Sequence, residues 1–205
     1  MSLPGPVTRR IGVYGGAFDP PHIGHDVLAR AAIDQLQLDE LRVIPTGYAW
    51  HKARALTSAV HRLAMARLAF KDNQRVVVDP REMNRSGPTY TIDTLQELAQ
   101  EFASSQLYLL MGEDQARALT TWHRWRELDR FAIICVAARA DSTGADSPFD
   151  SLKPQIPSLV HLEMPHIAVS ATEIRRKVAL HQSVDSLVFE SVARYIEQHY
   201  LYQTA

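Results

Sequence analysis

Short apolar runs alternate along this chain with longer stretches in which apolar positions recur every three or four residues. Runs of strand length lie at 10–14, 41–45, 75–78, 106–111, 131–137 and 159–162. Helical spacing marks 26–37, 59–70, 92–102, 115–128 and 186–200. This alternation predicts an α/β fold, a Rossmann-like, doubly wound parallel sheet with helices on both faces and ligands at the carboxyl ends of the strands. The stretch 141–157, rich in Ser, Asp, Gly and Pro, predicts a loop, and residues 1–8 a flexible lead before a single domain over 9–205.

Composition narrows the function classes. A chain of 205 residues with 46% apolar content suits one substantial core, since cores tend to divide beyond about 250 residues. A class I aminoacyl-tRNA synthetase with a separate tRNA-reading domain would not fit. A net charge of -1 gives no broad attraction to polyanions, so no nucleic-acid partner is expected. Cys135, the only cysteine, lies in an apolar run and is expected to be a small core residue. No stretch is apolar enough for a membrane span or a secretion signal, so a cytoplasmic protein with no membrane partner is expected. Oligomeric state is left open, a homo-oligomer included.

The strongest local feature is GGAFDPPHIGH, residues 15–25, directly after the first apolar run. Gly15 and Gly16 let the backbone turn and approach a ligand with its N–H groups, which suits a phosphate. A helix from about Gly24 onward would aim its N-terminus at the same place. His22 and His25, three apart, can face one way there, hold a polyphosphate and, when protonated, stabilise charge on it. Two histidines alone would more often be a surface pair or a weak metal site; the eleven-residue string between strand and helix reverses those odds. Neither the Walker pattern nor GxGxxG is present.

Four later clusters follow a predicted strand or open a predicted helix. In PTGYAWHK (45–52), His51 and Lys52 could reach phosphates, against the alternative of a surface loop. In RSGPTYTIDT (85–94), Thr91 reads as a helix N-cap, and the backbone before the helix could take a small carboxylate with Tyr90 as an apolar wall. In GEDQARALTTWHRW (112–125), Gly112 admits a sugar, Asp114 can accept from ribose hydroxyls, Trp122 can stack on a heteroaromatic ring, against the alternative of a helix-face core residue, and Trp125 is expected in the core. In VSATEIRRK (169–177), Ser170 and Glu173 read as a capping box, with Arg175 placed to clamp nucleotide phosphates.

The first string resembles the signature of the HIGH-motif nucleotidyltransferase superfamily. Taken in order, GGAFDPPHIGH, PTGYAWHK, PTYTIDTL, MGEDQARALTTW and VSATEIRRK resemble the bacterial nicotinate-nucleotide adenylyltransferases over most of the chain. The first and last motifs are shared with phosphopantetheine adenylyltransferases and cytidylyltransferases; the middle two discriminate. The chain departs from the family at Ala17, where many members carry Thr or Ser, at His123, where Tyr or Lys is common, and at Val169 in place of Ile.

The resemblance implies adenylyl transfer from ATP to nicotinate mononucleotide in NAD biosynthesis. ATP would be met by Gly15, Gly16, Ala17, His22, His25, Gly112, Asp114, Ser170 and Arg175, and the acceptor by Phe18, Lys52, Thr89, Tyr90, Thr91 and Trp122. His22, His25, Lys52 and Arg175 would carry catalysis. Mg²⁺ would arrive with ATP; no protein-held metal is expected, and Asp19 is read as fixing the loop. The rivals are an adenylyltransferase for nicotinamide mononucleotide or another phosphorylated acceptor, and a nucleotide sensor without turnover.

Overall fold

A computed structural model describes residues 9–47, 56–139, 148–165 and 167–203. Among them, six parallel strands form one sheet in the order β3-β2-β1-β4-β5-β6: β1 (Arg9–Gly16), β2 (Glu40–Pro45), β3 (Val76–Val78), β4 (Ser105–Gly112), β5 (Ala132–Arg139) and β6 (Val160–Met164). The order reverses between β1 and β4, so the doubly wound Rossmann-like arrangement is observed. The helices are α1 (Ile23–Gln35), α2 (Ala59–Phe70), α3 (Thr91–Glu101), α4 (Glu113–Ala118), α5 (Pro148–Leu152), α6 (Ala171–Ala179) and α7 (Glu190–Gln198).

Side chains alternate across the sheet as strand geometry requires. Ile11, Val13, Leu107, Leu109, Met111, Ile134 and Val136 point into a core shared with Ile92, Leu95 and Leu98 of α3, Ala116 of α4 and Leu152 of α5. Tyr14, Tyr108, Leu110, Cys135 and Ala137 point the other way, onto α1, α2, α6 and α7 through residues such as Leu28, Met65, Ile174 and Ile196. Both faces are therefore covered, and the strands read as near-continuous apolar runs. Cys135 is fully buried, with its thiol pushed up to about 12 by that burial, as befits a core residue.

Two expectations are corrected. The stretch 115–128 is not one helix: α4 ends at Ala118, and 3₁₀ turns follow at Leu119–Thr121 and Trp125–Arg130, separated by Arg124 at a left-handed φ of 52°. The reason is in the spacing. Ala116, Leu119, Trp122, Trp125 and Leu128 lie three apart, the period of a 3₁₀ rather than an α-helix, and all five pack on the α3-side core. The described part of 141–157 is not all loop either, because it contains α5. Leu152 and Ile156, four apart, anchor that segment in the core, and Pro148 opens it where a missing N–H costs nothing. Residues 1–8 and 141–147 lie outside the described residues.

Candidate functional site

The sheet opens at its carboxyl edge. β1 stays paired with β2 through Gly16–Pro45, and β4 with β5 through Gly112–Ala137, yet the last pair between β1 and β4 is Val13–Leu109. The ends of the two central strands thus part at the reversal of strand order, where open α/β sheets take their ligands. A Cβ built on Gly15 or on Gly112 meets nothing within 4 Å, so both strand ends face open space.

The loop from Ala17 to His22 is held from several sides. Phe18 sits at a left-handed φ of 47° and is buried, its ring 5.4 Å from Tyr14, 5.0 Å from His25 and 6.2 Å from Phe70. The ring supports His25, which leaves the Phe18 backbone to face the crevice. Asp19 is also buried. Its carboxylate accepts from the Tyr202 hydroxyl at 2.7 Å and the Thr57 N–H at 3.2 Å, and its carbonyl accepts from Arg175 at 2.8 Å. Both carboxylate oxygens are occupied, in keeping with a loop-fixing role.

His22 is the N-cap of α1 and His25 its third helical residue. Their rings lie 3.7 Å apart, as the spacing predicts. The His22 backbone N–H donates to His25 Nδ1 at 3.0 Å, which leaves the His25 proton on Nε2 when the ring is neutral. Burial pushes the His22 imidazole down to about 4, and its Nδ1 is a buried atom without a hydrogen-bond partner. His22 is therefore neutral near pH 7 before an anion arrives.

The start of α6 converges on the same place. Ser170 caps α6, its hydroxyl accepting from the Glu173 N–H at 3.1 Å as expected. Val169 lies against the start of α1, since a Cβ on Gly24 would sit 3.0 Å from its Cγ1. Arg175, besides its bond to Asp19, donates to the Thr172 hydroxyl at 3.0 Å. Two helix N-termini and an arginine therefore flank the loop, a setting that favours anionic oxygens.

A second, more aromatic corner lies at the start of α3. Tyr90, not Thr91, is its N-cap, so the capping expectation moves by one residue; Asp93 and Thr94 N–H groups turn back to the Tyr90 carbonyl. Helix geometry leaves the Thr91 and Ile92 N–H groups without intrahelical acceptors. Tyr90 stacks on His123 at 4.3 Å between ring centroids, and half-buried Tyr90 and Trp122 pack on the same core. Trp125 is buried there, as expected. Asp114 is exposed in the first turn of α4. Thr89 is half-buried before α3. Lys52 and His51 lie outside the described residues.

Two supporting groups escape a motif reading. Arg62, 2% exposed, donates to three loop carbonyls: Ala17 at 3.0 Å, Thr57 at 2.9 Å and Gly47 at 3.3 Å. Burial lowers its pKa, while the nearby Asp19 carboxylate acts in the opposite sense. Its signal was present in the sequence, because Arg62 precedes Met65, Ala66 and Ala69 by three, four and seven residues on the buried stripe of α2. Glu82, also buried, has no such periodic signal. Among the described residues no group of three His, Cys, Asp or Glu side chains is placed to hold a metal ion, and no helix is long and apolar enough to cross a membrane.

Comparisons agree with this geometry. The cytidylyltransferase-like family model matches residues 13–177. A protein of Albidiferax ferrireducens named as a probable nicotinate-nucleotide adenylyltransferase is 57% identical, over 96% of this chain and 100% of its own length. One of the same name from Methylibium petroleiphilum is 44% identical, over 95% and 92%. In structure, the chain is similar to nicotinic acid mononucleotide adenylyltransferase of Plasmodium falciparum complexed with NaAD, at a TM-score of 0.80 and 19% identity, over 95% of this chain and 97% of the other.

Proposed function

Because the chain belongs to the nicotinate-nucleotide adenylyltransferases of the cytidylyltransferase-like family, we propose that it joins ATP and nicotinate mononucleotide into nicotinate adenine dinucleotide. The observation that carries this reading is the pair His22 and His25 at the start of α1, beside the open ends of β1 and β4.

The 5′-phosphate of the acceptor attacks the α-phosphorus of ATP in line, the bond to the bridging oxygen breaks, and pyrophosphate leaves. The acceptor phosphate is already ionised near neutral pH, so the reaction needs alignment and charge stabilisation rather than a protein nucleophile. Backbone N–H groups beside Gly15, Gly16 and Ala17 take the phosphates, a role left to the backbone because Ala17 has no hydroxyl. His25 donates from Nε2, and His22, which burial keeps neutral in the free protein, is pushed toward imidazolium by the approaching phosphates. Arg175 and Ser170 at the start of α6 hold the departing pyrophosphate, joined by Lys52. Gly112 and Asp114 receive the ribose.

The acceptor's carboxylate meets the N–H groups at the start of α3, in the stretch Thr89, Tyr90 and Thr91, and Trp122 stacks on its ring. Mg²⁺ carried on the triphosphate would supply charge neutralisation. The donor set fits an ion carried by phosphate and water oxygens, because the Asp19 carboxylate is already occupied by Tyr202 and Thr57.

Pyrophosphate release tests the reading, with ATP and Mg²⁺ and, in parallel, nicotinate mononucleotide, nicotinamide mononucleotide and phosphopantetheine. Turnover is expected with the nicotinate compound and to fall about 100-fold in His25→Ala. Turnover with a different acceptor would reassign the substrate, and tight ATP binding without turnover would make the protein a sensor.

A further inference from the structure

Glu82 stands between β3 and α3 and is buried, only 7% exposed as a residue. It accepts from the Thr94 hydroxyl in the first turn of α3 at 2.8 Å, and also from the Gly47 backbone N–H and the Thr89 hydroxyl. Three separate segments therefore meet on one side chain: the end of β2, the turn before α3, and α3 itself. Burial raises its pKa, opposed by these donors and by the Arg85 guanidinium. Arg85 in turn reaches the Thr94 hydroxyl at 3.4 Å and Glu97 at 2.7 Å. The main chain is equally tight, because a Cβ on Gly47 would lie 2.0 Å from the Glu82 carbonyl oxygen.

A buried carboxylate is a stiff organiser, since each donor it loses leaves a costly group unsatisfied. The donors it gathers bracket residues 89–91, whose backbone opens α3. Resting on the function proposed above, we propose that Glu82 is the positioning residue for acceptor choice: it sets the register of the 89–91 turn, and so the aim of the N–H groups that tell a nicotinate carboxylate from a nicotinamide. Glu82 itself touches no substrate. It acts through Thr89 and Thr94.

The test is steady-state kinetics of Glu82→Gln and Thr94→Val, each with nicotinate and nicotinamide mononucleotide and with ATP varied separately. Gln keeps the shape but turns an amide N–H₂ toward at least one donor; Val keeps the volume of Thr94 but removes its hydroxyl. In Glu82→Gln, KM for nicotinate mononucleotide is expected to rise about tenfold with KM for ATP within about twofold of wild type, and the nicotinate preference to narrow by a similar factor. Thr94→Val should move the same way by a smaller factor, and Glu82→Asp should recover part of the preference. Equal changes in the two KM values, or a loss of kcat with the preference intact, would overturn the proposal and leave Glu82 a stability residue. Should Glu82→Gln fail to fold, an unchanged preference in Thr94→Val overturns it alone. A wild-type protein with no nicotinate preference would instead sink the functional reading, and this proposal with it.

Discussion

Burial holds His22 near a pKa of about 4, against 6.5 for a free imidazole. Between those two values the unfolded chain takes up a proton that the folded protein refuses. Stability therefore falls as pH drops through that window and is level above it, by at most about 3 kcal/mol. Bound phosphates act in the opposite sense, since an adjacent anion favours imidazolium. Histidine NMR should show the His22 ring titrating near 4 in the free protein, and at least about one unit higher with ATP bound. A titration that ATP leaves unmoved would remove His22 from the phosphates. The sequence could place this histidine beside His25 but not assign its charge, which depends on how deeply the folded chain buries the ring.

Among the elements, α2 does more than cover the sheet. Arg62 projects from its buried face and ties Ala17, which follows β1, to Gly47 and Thr57 on either side of residues 48–56. Arg62→Met keeps most of the volume but strands three carbonyls. The expected loss is about 3 kcal/mol or more, which corresponds to a fall in Tm of roughly 6–12 °C for a chain of this size. Calorimetry on the variant checks this, and an unchanged Tm would mean the three bonds contribute nothing net.

Helix α2 was legible to the residue, and the other long elements within a few positions, from apolar residues at three- and four-residue spacing, even where, as at Arg62 and Val60 of α2, single positions break the pattern. The segment after β4 was not, because a three-residue repeat also satisfies part of a helical pattern. Arg62 and Glu82 went unread for a related reason. Local patterns report which face is buried, whereas the partners of these two side chains are distant in sequence.

Across the whole molecule, the chain's last described turn is fastened to its first loop. The Tyr202 hydroxyl donates to Asp19, and the phenol pKa is pushed well above its usual value by burial and by that carboxylate, so the donor stays protonated throughout the neutral range. Tyr202→Phe would leave Asp19 Oδ1 without this donor in a buried place, and is expected to cost about 1–3 kcal/mol. Urea unfolding of the variant should show the midpoint lowered with the slope unchanged; a wild-type midpoint would make the contact dispensable.

The unfinished seam between β1 and β4 gives the molecule one more property. Beyond Val13 and Leu109 the two halves of the sheet are no longer stitched to each other, although each remains stitched to its outer neighbour. With no pair to break between them, the two strand ends owe their separation to the outer neighbours that hold each of them, so the width of the crevice is set by the flanks of the sheet and not at its centre.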